Sequence, residues 1–116
     1  MPQQLDSASV LTQLTSILEQ RRHADAEDSY VASLYQAGLD KILEKVGEEA
    51  TEVIVAAKNA ERDNQVTAAC VAEVADLWFH SMILLHQLDC DAEDVLAVLA
   101  QRFGISGHEE KANRDT

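Results

Sequence analysis

Apolar residues recur along the chain at helical spacing in five segments. The first runs from about Ser7 to His23 behind an Asp6-Ser7 cap, with Val10, Leu14, Ile17 and Leu18 at the i, i+4, i+7, i+8 positions of one buried face. An acidic loop, His23 to Asp28, follows. Ser29 is placed to cap a short second helix, Tyr30 to Ala37, which Gly38 ends. The third helix begins at Leu39 or Asp40 and ends at Arg62, and Leu39, Ile42, Val46, Ala50, Val53 and Ala57 share one face at ~100° per residue. The fourth runs from Gln65 to Leu88 behind an Asn64 cap. It is apolar nearly all round, from Val66 and Val71 through Leu77, Trp78 and Phe79 to Leu84 and Leu85. Asp91 caps a fifth helix, Ala92 to Phe103, with Val95, Leu96, Val98 and Leu99 turned inward, and a polar tail occupies Gly104 to Thr116.

These segments predict an all-α fold, a bundle of about five helices forming one domain over residues 1–116. Only 4 Gly and 1 Pro punctuate the chain, which favours few long helices over many short strands. A helix that is apolar all round is usually buried on several sides. In 116 residues little else is available to cover the fourth helix, so a homodimer or higher homo-oligomer is expected.

Charge narrows the function. Asp and Glu number 21 against 9 Lys and Arg, a formal net charge of −12. Such a chain, with no dense basic stripe, is a poor partner for nucleic-acid phosphates or an anionic membrane surface. It can still bind a phosphorylated small molecule if a cation bridges the two. No run of 18 apolar residues occurs, so no membrane span is expected. The start, MPQQLDSASV, lacks the basic and apolar regions of a secretory leader. Cys70 and Cys90 have no CxxC or zinc spacing and read as reduced thiols of a cytoplasmic protein.

Two places interrupt the helical pattern with acids. In Lys45-Val46-Gly47-Glu48-Glu49-Ala50-Thr51-Glu52, with Glu48 at zero on the wheel, Glu52 falls at ~40° and Glu49 at ~100°, with Lys41 at ~20° and Lys45 at ~60°. All lie on the side away from the apolar face, and a helix built for stability alone would avoid that repulsion. In the apolar fourth helix, Glu73 and Asp76 begin a polar stripe that continues through His80 and Gln87. Carboxylates buried there need compensation. Two lysines cannot neutralise five acids, and a divalent cation can. An oxygen-only donor set suits Mg²⁺, with Mn²⁺ as a substitute, rather than zinc. Such an ion would neutralise phosphate charge and activate an attacking water. No EF-hand loop, Glu-x-x-His di-iron motif, P-loop, GxGxxG or nucleophile elbow is present in the sequence.

Glu-Glu-x-x-Glu at 48, 49 and 52 followed by Glu-x-x-Asp at 73 and 76 resembles the all-α NTP pyrophosphatase (MazG-like) superfamily. The block Lys45 to Glu52, the preceding Gly38-Leu39-Asp40-Lys41-Ile42 and the tail Gly107-His108-Glu109-Glu110-Lys111-Ala112-Asn113-Arg114 are more specific. With Ser29-Tyr30, Ala57-Lys58-Asn59 and Glu73 to His80 they resemble the phosphoribosyl-ATP pyrophosphohydrolase family over nearly the whole chain. Trp78-Phe79 stands where that pattern has aliphatic and Tyr residues, a change of packing rather than of the site.

The resemblance implies Mg²⁺-dependent cleavage of the α–β phosphoanhydride of phosphoribosyl-ATP, the second step of histidine biosynthesis, by a stand-alone enzyme. Glu49, Glu52, Glu73 and Asp76 match its metal-ligand pattern. Glu48 is an additional acid that ligates metal or positions the water, so Glu48 and Glu49 are the catalytic candidates. Lys41 and Lys45 are candidates for gripping phosphates, Asn59 for the base or ribose, His80 for a phosphate or for orienting a ligand, and Lys111 and Arg114 for the ribose 5-phosphate. Two other functions are compatible with the acidic pattern: a house-cleaning pyrophosphatase acting on (d)NTPs, and a non-catalytic helical interaction module with an acidic face.

Overall fold

The computed structural model describes residues 7–63 and 68–105. Five helices account for nearly all of them: α1 (Ser7–Arg22), α2 (Tyr30–Ala37), α3 (Leu39–Asp63), α4 (Ala68–Gln87) and α5 (Ala92–Phe103). No strand occurs among the described residues. The expected all-α bundle is therefore present, with boundaries within a residue or two of the sequence pattern; the Asn64 cap and the first turn predicted for α4 lie outside the described residues.

Local chemistry sets the helix ends. The Ser29 hydroxyl accepts the Ala32 N–H at 3.2 Å, which satisfies one of the donors that α2 leaves open at its start. Gly38 ends α2 at φ 99°, a backbone conformation that side-chain-bearing residues avoid. Asp91 and Asp94 form a reciprocal capping box at the start of α5, with bonds of 3.3 and 3.0 Å. Between α4 and α5 the chain turns at Asp89, whose φ is 61°, and the Arg22 guanidinium lies 3.5 Å from its carboxylate.

α3 and α4 make the most extensive helix contact, and α1 and α2 pack across their end. Leu18, Ile42 and Ile83 are fully buried there, joined by Val31, Leu34, Tyr35, Met82 and Ala92. Burial of each large apolar side chain contributes about 1.5–3 kcal/mol. This core is smaller than the apolar pattern predicts. In α1 the inward face is Leu11, Leu14 and Leu18, whereas Val10 and Ile17 point outward. In α5 Val95, Val98 and Leu99 are exposed, contrary to their predicted inward placement. In α3 Ile42 is inside, but Leu39 and Ala57 are exposed. The reason is common to all three: one chain does not supply enough surface to cover every apolar stripe.

α4 shows this most clearly. By length and composition it is apolar enough to cross a membrane, with a mean hydropathy of 1.5. Met82 and Ile83 are buried, yet Val71 is 65% and Trp78 62% exposed. Trp78 lines an apolar groove of about 300 Å³ together with Leu11, Met82, Leu85, Val95 and Leu99. The expected burial of α4 on several sides is not achieved within the single chain. Cys70 and Cys90 are free thiols, as their spacing predicts.

Candidate active site

Glu49 and Glu52 lie one turn apart on α3, and α4 brings Glu73 against them, so that an oxygen from each carboxylate lies within 4.8 Å of the others. Glu49 is only 7% exposed. The wheel places it at the margin of the acidic side, and the helix pair rotates that margin into the α3–α4 contact, so it is not on the far side from the core as the sequence pattern suggests. Glu49 Oε2 and Glu73 Oε2 are buried without a hydrogen-bond partner among the described residues. A buried acceptor left unpaired costs stability, and more when it is charged.

The electrostatics follow from this crowding. Burial, then the negative charge of Glu52, pushes the Glu49 carboxyl above its usual range, and Asp76 adds to the effect. Glu73 is pushed up by its hydrogen bond with Glu52, by desolvation and by the charges of Glu52, Asp76 and Glu49. Both shifts describe a site in which negative charge exceeds what the protein itself neutralises.

Lys45 is the cation at the edge of the cluster. Its ammonium lies 2.9 Å from Glu48 Oε2 and 3.9 Å from Glu49 Oε1. The hydrogen bond from Lys45 holds the Glu48 carboxyl below its usual range and raises Lys45 in turn. Glu48 is therefore paired with Lys45 and lies outside the three-carboxylate group. Asp76, one turn along α4 from Glu73, is exposed and also lies outside that group, although its charge is felt by both Glu49 and Glu73. Lys41 reaches back to Glu44 at 3.5 Å, and Asn59 is exposed further along α3. Lys111 and Arg114 lie outside the described residues.

His80, the candidate for a phosphate contact or for orienting a ligand, is held by protein on both sides of its ring. It is 5% exposed, and both ring nitrogens meet protein: Nδ1 lies 2.8 Å from the Asp76 carbonyl oxygen and Nε2 2.9 Å from the Tyr30 hydroxyl. Tyr30 is the polar side chain at this site to which the residue patterns assign no role. In the sequence it is simply the residue after the α2 cap, and only the fold carries it to α4.

The sequence matches a known family. A profile of the phosphoribosyl-ATP pyrophosphohydrolase family matches residues 11–103. The chain belongs to the phosphoribosyl-ATP pyrophosphohydrolase family. It is 56% identical over 108 residues to a phosphoribosyl-ATP pyrophosphatase of Hydrogenovibrio crunogenus (strain DSM 25203 / XCL-2), a match that covers 93% of this chain and 95% of that protein. The segment matched to the phosphoribosyl-ATP pyrophosphohydrolase family includes Tyr30, Lys45, all five acids and His80, and ends before Lys111 and Arg114.

The donor set also passes a test on its own chemistry. Three carboxylates converge, two of them with an unused buried oxygen, and among the described residues no sulfur or imidazole joins them. Such all-oxygen sites suit hard divalent cations.

Proposed function

We propose that Glu49, Glu52 and Glu73, with Asp76 beside them, form the divalent-cation site at which this member of the family hydrolyses phosphoribosyl-ATP. The products are phosphoribosyl-AMP and pyrophosphate, the second step of L-histidine biosynthesis. Family membership and the 56% identical pyrophosphatase support the reaction. The observation that supports the site is the pair of buried, unpartnered oxygens on Glu49 and Glu73.

Mg²⁺, or Mn²⁺ in its place, would supply positive charge against the triphosphate and lower the pKa of a bound water. The chain's own residues do the rest. Lys45, poised between Glu48 and Glu49, grips a phosphate oxygen, with Lys41 one turn earlier on the same side of α3. Glu49 and Glu48 act on the attacking water, and Glu48 also holds Lys45 in register. Asn59 reads the base or ribose, and Lys111 and Arg114 take the ribose 5-phosphate. Catalysis then comes mainly from positioning and charge neutralisation.

The exposed apolar residues of α4 and α5 support a homodimer or higher homo-oligomer as the working form, with α4 a bundle helix rather than a membrane span. Its stripe of Glu73, Asp76 and His80 fits that role, and the acidic surface leaves no footing for nucleic acid. The free thiols fit the cytoplasm.

Pyrophosphate release measured with phosphoribosyl-ATP and with dNTPs, each with Mg²⁺, tests the reading. Release from phosphoribosyl-ATP alone, abolished in Glu52→Gln and Glu73→Gln, is expected. Faster release from dNTPs would indicate a house-cleaning enzyme, and undiminished function in Glu52→Gln and Asp76→Asn would indicate an interaction module.

A further inference from the structure

We propose that Tyr30 is a substrate-binding residue that accepts a hydrogen bond from a ribose hydroxyl of the nucleotide, and that His80 is the positioning residue that prepares it. This rests on the reading of the adjoining acid cluster as the hydrolytic centre.

The inference follows from one chain of hydrogen bonds. The Asp76 carbonyl can only accept, so the Nδ1 that lies 2.8 Å from it carries the imidazole proton. In the neutral ring Nε2 is then bare, and at 2.9 Å it accepts the Tyr30 hydroxyl proton. The phenolic proton is thus committed inward, and the oxygen offers only lone pairs to the site. His80 cannot turn aside easily. It is 5% exposed and stands edge-on to two rings, with centroids 5.9 Å from Tyr30 and 5.3 Å from Phe79. Tyr30 itself is 52% exposed and open to a ligand.

What lies beside that oxygen decides the ligand. Tyr30 reaches the site through His80, whose Nδ1 is held at the carbonyl of Asp76 one turn from Glu73, and on the neighbouring α3 Lys45 stands between Glu48 and Glu49. The rim of the site therefore pairs a cationic donor with an oxygen that only accepts. Lys45 takes a phosphate oxygen. Tyr30 would repel a phosphate and suits a group with a proton to give. In a nucleotide, the hydroxyls of the ribose that carries the phosphates are the donors within a few bonds of that phosphate.

The test is steady-state kinetics of the full chain with Mg²⁺ on phosphoribosyl-ATP and on its 2′-deoxy and 3′-deoxy counterparts. Wild type should show a KM roughly five- to tenfold higher for one deoxy substrate, the loss of one hydrogen bond. Tyr30→Phe should raise KM for the parent substrate by a similar factor, with kcat changed less than KM, and should no longer distinguish that deoxy substrate. His80→Asn keeps a donor for the Asp76 carbonyl but lacks the atom that reaches Tyr30. It should reproduce the Tyr30→Phe shift, and the double variant should add nothing to it. A purely structural strut would lower Tm without changing KM or the discrimination. Wild-type discrimination in Tyr30→Phe, or additive effects in the double variant, would overturn the inference. Glu73→Gln keeps the two readings apart: if it abolishes hydrolysis while Tyr30→Phe has no effect, only this inference fails, and if it hydrolyses normally the site itself is wrong.

Discussion

Glu49 on α3 and Glu73 on α4 meet across the helix contact, and each keeps one buried carboxylate oxygen without a hydrogen-bond partner among the described residues. An acceptor buried without a partner costs stability. Glu52 crowds both, and Lys45 reaches only the Glu49 side of the group, at 3.9 Å. A helix pair that needed only to pack would place Ala or Leu at these positions. The stability given up here is what a cation would return.

Millimolar Mg²⁺ or Mn²⁺ is accordingly expected to raise the Tm of the chain. A ligand that binds only the folded state stabilises it by RT ln(1 + [L]/Kd), about 2.7 kcal/mol at one hundred times Kd. Glu73→Gln removes one of the buried donors and should abolish most of the rise while leaving the metal-free chain at least as stable as wild type. Thermal melts of both proteins over a Mg²⁺ titration check this, and equal shifts in the two would remove Glu73 from the site.

The raised carboxyls also predict a pH dependence with a definite sign. Glu49 and Glu73 hold protons more tightly when folded than their ordinary value of 4.5. The folded state therefore binds more protons than the unfolded one above that pH, so the metal-free chain loses stability as pH rises from about 4.5 through the raised values. Glu48 and Glu19 are lowered, by Lys45 and by His23 with His86, and they act in the opposite sense, losing their contribution as pH falls below the ordinary range. Urea titrations at pH 5 and pH 8 without metal should show the fall, Glu73→Gln should flatten it, and Mg²⁺ should reverse it. A stability that rises over this interval in the metal-free wild type would contradict the assignment.

Much of this was legible in the residue pattern, and the misses share a cause. The five helices and the caps at Ser29 and Asp91 follow from short-range rules, since a hydroxyl or carboxylate beside the first turn needs no tertiary partner. The acids at 49, 52 and 73 stood out because a stable helix has no use for them. The middle of the inward face of α3 was legible and its edges were not: Ile42 is inside as the wheel put it, but the wheel also put Leu39 inside and Glu49 outside, and the structure reverses both. Val10 and Val98 were misplaced in the same way, because periodicity marks an apolar face without saying what covers it. The bond between Tyr30 and His80 spans 50 residues, and no local pattern reports such a pair.

The Ser29 cap gives a prediction that couples stability to the site. Its hydroxyl is buried and accepts the Ala32 N–H at 3.2 Å, so Ser29→Ala leaves that donor unpaired in a place water does not reach. The loss should be about 1 kcal/mol, within the 0.5–2 kcal/mol typical of caps. Because Tyr30 is the next residue, the same change should loosen the start of α2 and raise KM more than it lowers kcat. Urea midpoints and steady-state kinetics on the one variant measure both, and a stability loss with unchanged KM would separate the cap from the site.

Trp78, the chain's single tryptophan, reports on the expected assembly. It is 62% exposed on the single chain, beside the apolar groove between α4 and α5. An indole left in water at that position emits at long wavelength, whereas one covered by a second copy emits at shorter wavelength. The prediction is a blue-shifted emission at micromolar concentration that moves red on dilution, in step with a fall in mass by sedimentation. Trp78→Asp places a charge at the covered position, where burying it unpaired is costly. It should therefore yield smaller species with the helical content kept. If wild type sediments as a single chain at high concentration with solvent-exposed Trp78 emission, the apolar faces of α4 and α5 are not an interface between copies.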